Sequence, residues 1–352
     1  MSRDQAVVAL DGMGGDNAPG IVVDGAALAR ERFPGTRFLL FGDPARLKPL
    51  VDRRKDLIPV TEIVVAEDQV TPDDKPSLAL RRRRQSSMWL AIEAAAQGRA
   101  DLVVSAGNTG ALLAMSMFQM RTLAGAHRPA LASFMPTARG ESVMLDLGAN
   151  LECDAENLAE FAVMGSAFAQ ATLGIDRPTV GLLNVGSEEA KGHESIREAA
   201  AWLKRDGSPV VFHGFLEGDD IGAGTVDVVV TDGFTGNVAL KTIEGTAKVY
   251  TNFVRDAFRT STFAKIGYLF ASGAWSKLRQ RVDPRRYNGA VFLGLNGLSV
   301  KSHGGADALG FAYAIGVGID MVRHSFQDRL TDGLNRLRAA APGADEPAGE
   351  TP

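Results

Sequence analysis

The chain has 352 residues, 45% hydrophobic and 23% charged, with a net charge of −4, one cysteine and five histidines. That balance belongs to an ordinary globular protein with a substantial core, and it lacks the basic footprint that nucleic acid requires. A single cysteine excludes an internal disulfide or a cysteine-based zinc site, and the scattered histidines show no ligand spacing, so neither a metal nor a cofactor is expected.

The start, Met-Ser-Arg-Asp, carries no signal-like apolar region, and the longest uncharged run, 102–120, is broken by Ser105, Gly107, Asn108 and Thr109. A cytoplasmic location is expected. In chain order, a strand at 6–10 leads through the glycine loop 11–16 into a helix near 19–32. The loop sits where a dinucleotide fingerprint would, yet it lacks the G-x-G-x-x-G spacing and any P-loop lysine. Strands at 37–41 and 62–66 flank a helix, and 67–75 is a loop. One helix is expected from Ser77, its N-cap, to about Gln97. It carries Arg81, Arg82, Arg83 and Arg84, which read either as a solvated face or as a docking patch for an acidic partner.

At 101–110 a strand runs into Gly107-Asn-Thr-Gly110 and a helix over 111–120. Strands follow at 131–135 and 142–147. Asp146 and Asn150 at the second strand's end either line a ligand or fix the turn. Asp154 caps an apolar helix over 155–172. Cys153 has no basic sequence neighbour to activate it and is set aside as a nucleophile. After a strand at 179–185, Ser187 should start a helix, with Lys191 near its first turns as a phosphate partner or a solvated charge. Strands at 210–213 and 228–231 complete this part. The second enters Asp232-Gly-Phe-Thr-Gly-Asn237, a near copy of the 107–110 turn, whose free N–H groups suit an anion.

Residues 250–281 break the alternation. Six basic residues (Arg255, Arg259, Lys265, Lys277, Arg279, Arg281) face one acid, Asp256, a local charge of +5 amid bulky apolar groups. This reads as an amphipathic hairpin for a membrane surface, with a core or dimer-interface hairpin as the alternative. A strand at 290–295, a third glycine turn holding His303, and a buried helix from Asp307 follow. The tail 341–352 reads as disordered. Strands alternating with helices give an α/β fold, a doubly wound, mostly parallel sheet covered on both faces. Residues 1–340 then form a single catalytic domain with the hairpin inserted.

Six motifs in order resemble the bacterial phosphate acyltransferases of phospholipid synthesis. They are Val8-Ala-Leu-Asp-Gly-Met-Gly-Gly-Asp16, Ser105-Ala-Gly-Asn-Thr-Gly-Ala111, Asp146-Leu-Gly-Ala-Asn150, Asn184-Val-Gly-Ser-Glu-Glu-Ala-Lys-Gly192, Thr231-Asp-Gly-Phe-Thr-Gly-Asn237 and Lys301-Ser-His-Gly-Gly305. The resemblance spans about residues 6–325. It implies transfer of a fatty acyl group from acyl-carrier protein to inorganic phosphate, a phosphotransacetylase-like or isocitrate-dehydrogenase-like fold, and a homodimer. Phosphate would be the nucleophile, so no catalytic serine or cysteine is needed. Lys191 and His303 are expected as phosphate partner and proton donor, in either assignment. Asn108, Asn237 and the Gly304 N–H would face the oxyanion, and Asp232 would orient a cation. Gly14, Gly15, Asp16, Thr109, Gly110, Asp146, Asn150, Thr235 and Gly236 would line the substrate. The four arginines could receive the acidic carrier protein, and the hairpin could hold the enzyme at the membrane surface, where a membrane glycerol-phosphate acyltransferase consumes the product. A coenzyme A-dependent phosphotransacetylase and a non-catalytic membrane scaffold are the alternatives.

Overall fold

Buried β-branched runs make the strands, and the turns that end them cap the next helix. In the computed structural model of the protein, which describes residues 5–259, 261–273 and 283–340, β1 (Val7–Asp11), β2 (Arg37–Gly42) and β3 (Thr61–Val65) come first. They are followed by β4 (Leu102–Ser105), β5 (Ala130–Thr137), β6 (Gly140–Leu145), β7 (Thr179–Leu183) and β8 (Val211–Leu216). The last are β9 (Val228–Val230), β10 (Ala290–Leu293) and β11 (Leu298–Lys301). All join one sheet in the order β3-β2-β1-β4-β11-β10-β5-β6-β9-β7-β8.

Pairing is parallel except at three adjacent joints, β11/β10, β10/β5 and β5/β6. Three successive reversals leave β6, β9, β7 and β8 running opposite to β1, β2, β3, β4 and β11. The strand ends that carry ligands in α/β proteins therefore fall on two opposite edges of one sheet.

Both faces are covered. On one, α1 (Gly20–Arg32), α6 (Ala155–Leu173) and the helix Ala308–Arg323 pack with Val8, Leu10, Val104, Phe161, Phe168 and Phe311. On the other, α4 (Ser87–Ala96) and α5 (Thr109–Met120) enclose Ala9, Val103, Met88 and Phe292. Asn108, Asp154 and Asp307 cap their helices through Ala111, Asn157 and Gly310, as the sequence predicts for Asp154. The C-terminal helix Phe326–Ala339, absent from the sequence reading, packs Phe326, Leu330 and Leu334 into the core.

Three expectations are corrected. The helix expected from Ser77 to Gln97 is two, α3 (Pro76–Arg82) and α4, and Lys75 rather than Ser77 stands at the first N-cap. Arg83 breaks it: its guanidinium pairs with Asp68 at 2.9 Å and Asp74 at 3.3 Å, and Ser86 then caps α4 through the Trp89 N–H. The four arginines thus separate. Arg81 and Arg82 are exposed, while Arg84 lies over the rings of Trp89 and Phe118.

The second correction concerns Ser187, which starts no helix: α7 (Glu194–Leu203) begins seven residues later, and 186–193 is a loop. The third is the hairpin's first arm, which starts at Gly233 rather than near 250. Helix α9 (Gly233–Arg259) has 27 residues, about 40 Å at 1.5 Å per residue. Ala239, Leu240 and Ile243 pack on the core around Met135, Met144 and Leu147. Beyond them the helix leaves the body and meets α10 (Thr262–Phe270), with Phe258 against Tyr268 at 5.3 Å. Trp275, Lys277, Leu278, Arg279, Arg281 and the tail 341–352 lie outside the described residues. Among the described residues, no helix is long and apolar enough to cross a membrane. His127, Glu156 and Glu160 gather at the start of β5. Both Glu160 oxygens are taken by the His127 backbone N–H and ring, which ties this loop to α6.

Candidate active site

Along the edge where β1, β4 and β11 end, three loops converge. Asp11 closes β1 fully buried and accepts hydrogen bonds from Ser87 Oγ at 2.5 Å and Ser105 Oγ at 2.6 Å. Burial raises its carboxyl above the usual range, against the opposing pull of those hydroxyls. Gly14 lies against this carboxylate: an added Cβ would overlap Asp11 Oδ2 and stand 2.9 Å from the Gly107 nitrogen. The Asp16 N–H donates to the Gly304 carbonyl at 2.9 Å, fastening the first glycine loop to the last.

Between them opens a cavity of about 630 Å³, whose walls include Gly15, Asp16, the 107–110 turn, Lys301 and Gly304. Arg46 and the segment Gln69, Val70, Thr71 and Pro72 also line it. That segment is held by the Arg83 ion pairs and by Asn108, whose Nδ2 donates to the carbonyls of Pro72 and Asp74, each at 3.0 Å. With Asn108 Oδ1 capping α5, both ends of that amide are committed. Its expected place at the oxyanion is corrected to a structural one. The N-terminal turn of α5, with Thr109 exposed and Gly110 half-buried, remains facing the cavity.

His303 is exposed beside Gly304. Its backbone N–H donates to Asn288 Oδ1 at 2.8 Å, and its Nδ1 accepts from the Gly305 N–H at 3.1 Å. In the neutral ring this leaves the proton on Nε2, where it can be donated.

The remaining expected residues lie at the opposite edge, beyond β6, β9 and β7. Asp146 accepts from the N–H groups of Leu131, Gly148, Ala149 and Asn150 and from Asn150 Nδ2. Asn150 Nδ2 also donates to the Pro129 carbonyl. Of the two roles left open, both side chains serve the turn. Asp232 caps α9 through Thr235 N and Oγ1, both at 2.8 Å. Gly236 has no room for a Cβ, which would overlap the Asp146 carbonyl oxygen. Asn237 lies against Gly148. Lys191 is exposed and pairs with Glu188 at 2.8 Å, a surface contact of small energetic worth. Within one chain Lys191, Asp232 and Asn237 therefore do not join His303 around one ligand. Nearby Cys153 has its thiol pushed up to about 12 by burial and by the Asp146 and Asp232 carboxylates, which leaves it inert.

Asp11, Arg46 and Lys301 were missed. Asp11 stood in the quoted motif as the first acid of a loop. Its role shows only when Ser87 and Ser105 arrive from 76 and 94 residues away. Arg46 carries no sequence signal at all.

The fold is similar to that of solved phosphotransacetylases. A phosphotransacetylase from Streptococcus pyogenes superposes with a TM-score of 0.61 at 17% identity, covering 91% of this chain and 95% of that one. A branched-chain phosphotransacylase from Enterococcus faecalis V583 gives 0.58 at 15% identity, covering 91% and 99%. At such identities the likeness is one of fold alone. Sequence goes further: the profile of the fatty acid synthesis protein family matches residues 6–329. Phosphate acyltransferases from Rhodospirillum centenum and Rhodospirillum rubrum are 60% and 57% identical, covering 96% and 94% of this chain and 95% of each relative. The chain belongs to the bacterial phosphate acyltransferase family, and it is an acyltransferase.

Proposed function

We propose that the protein transfers a fatty acyl group from acyl-carrier protein to inorganic phosphate, giving acyl phosphate for phosphatidic acid synthesis. The observation that carries this reading is the convergence of the 11–16, 107–110 and 301–305 turns on one cavity. Backbone N–H groups at a helix N-terminus and in glycine turns suit a phosphate. With the only thiol inert, the nucleophile is the phosphate itself. One of its oxygens attacks the thioester carbonyl, the P–O–C linkage forms, and the tetrahedral oxyanion collapses with loss of the C–S bond. Hydrogen phosphate brings the single proton that the departing sulfur requires, so the exchange balances. His303 relays that proton, giving it up from Nε2 to the thiolate and taking it back from the phosphate.

The test follows free thiol and hydroxylamine-trappable acyl phosphate from long-chain acyl-carrier protein, with and without phosphate. Both products appear only with phosphate. Thiol release without phosphate marks a thioesterase, and faster turnover of a coenzyme A thioester marks a phosphotransacetylase.

Two surfaces fit the substrates of this reaction. Arg81 and Arg82 end a helix whose Pro76 packs on Gly110 at the cavity wall, which suits docking of an acidic carrier protein. Reversing both to glutamate raises KM for the carrier about tenfold and leaves kcat largely intact; an unchanged KM removes the docking role. The free end of α9 and α10 exposes Tyr250, Phe253, Phe263 and Phe270, the last at 89%. Such a patch suits peripheral contact with a membrane, where a glycerol-phosphate acyltransferase would consume the lipophilic product. Replacing Phe253 and Phe263 by serine weakens sedimentation with anionic vesicles at least tenfold, since each buried aromatic is worth about 2 kcal/mol; undiminished sedimentation assigns the patch elsewhere. A homodimer belongs to the same reading. With Lys191 and Asn237 on the far edge, they meet the phosphate only from a second copy.

A further inference from the structure

One buried group of the cleft has no part in the transfer just described. Lys301 ends β11 opposite Ser105 of β4 and is 9% exposed. Its side chain lines the cavity together with Gly107, Gly110 and Gly304. Nζ donates to the carbonyl oxygens of Ser302 and, at 3.4 Å, of Ala106. An ammonium has three N–H donors, so one remains for an occupant of the cavity.

No carboxylate among the described residues lies within 4.0 Å of this ammonium. Asp11 faces it from β1, but its oxygens are engaged by Ser87, Ser105 and the Met13 N–H. Asp16 faces it from the first glycine loop and is exposed. Arg46 on the cavity wall and His303 two residues along the chain add no negative charge. A buried cation with no carboxylate in direct contact is only partly compensated. Burial accordingly pushes the Lys301 ammonium down to about 8, against the pull of Asp11 and Asp16. An anion entering the cavity would supply the missing partner.

We infer that Lys301 is the phosphate-binding cation of this cleft, its Nζ contacting the acceptor phosphate and holding it against the thioester. The site thereby has its charge partner in the same chain as His303, the part that sequence reading gave to Lys191. The inference rests on phosphate being the acyl acceptor, and its test is built to separate the two.

Binding of inorganic phosphate alone, by calorimetry without acyl donor, is the first readout. Lys301→Met preserves bulk and removes the charge, and it weakens phosphate binding about 10- to 100-fold, the worth of a charge-assisted hydrogen bond. KM for phosphate rises in parallel, while kcat at saturating phosphate changes less. A second measurement needs no variant. The charged form binds, so wild-type affinity for the phosphate dianion holds up to about pH 8 and falls up to tenfold per pH unit above it. Lys301→Met binding as tightly as wild type, or wild-type affinity unchanged through that range, overturns the assignment. Acyl phosphate formation by wild type in that event leaves the proposed reaction standing without Lys301. Binding through Lys301 with no acyl phosphate formed refutes the reaction and keeps the anion site.

Discussion

Gly14→Ala is expected to lose at least 100-fold in acyl phosphate formation and to melt well below wild type. The added methyl overlaps Asp11 Oδ2 and stands 2.9 Å from the Gly107 nitrogen. Asp11 cannot move aside without breaking its bonds to Ser87 and Ser105 inside a fully buried network. Overpacking costs about 1–3 kcal/mol, and a buried carboxylate that loses a partner adds about as much again. The shift in backbone also displaces the 107–110 turn that faces the cavity. Gly20→Ala is the control: an added Cβ there meets nothing within 4 Å, so melting and turnover stay near wild type. Circular dichroism melts with the hydroxamate assay check both, and a Gly14→Ala enzyme of normal activity would show that the three loops need not be held together.

The second large effect is at His303. His303→Gln keeps a polar side chain on a turn whose backbone is fixed by Asn288, yet its amide cannot give up a proton as the imidazole Nε2–H can. A lost general acid costs about 10²–10⁴ in rate, so kcat should fall by that factor with KM for phosphate nearly constant and the melting temperature preserved. Single-turnover thiol release measures the step directly. A fall of less than tenfold assigns the imidazole to structure, with its Nδ1 bond to Gly305 as its whole role.

Ten of the eleven strands and most helices were legible because each such strand is a short β-branched or apolar run ended by glycine or Asx chemistry; β11, only four residues between two glycine turns, was not. What was hidden depended on partners distant in sequence. The break between α3 and α4 needs Arg83 to find Asp68 and Asp74 in the preceding loop, and nothing local in a row of four arginines announces it. The helical pattern that follows the 232–237 turn and the apolar stripe from 250 belong to one helix, α9, and no local signal shows that the two are continuous.

Dividing the expected site residues between two edges is the larger lesson, and its signal was present. Only Ala138 and Arg139 separate β5 from β6. Parallel neighbours need a crossover of a dozen residues or more, so such a link can only make an antiparallel hairpin. The four residues between β10 and β11 say the same. Counting those reversals in the sequence would have set Asp146, Lys191, Asp232 and Asn237 apart from His303. Lys301 escaped for another reason: a lysine at a strand end looks solvated until the register buries it beside Ser105.

Locating arsenate, a phosphate analogue, by its anomalous scattering in crystals of the protein tests the central claim most directly. The arsenic peak is expected in the cavity among Lys301, the 107–110 turn and Gly304. A peak confined to the opposite edge, beside Lys191 and Asn237 but away from Lys301 of either copy, would contradict it.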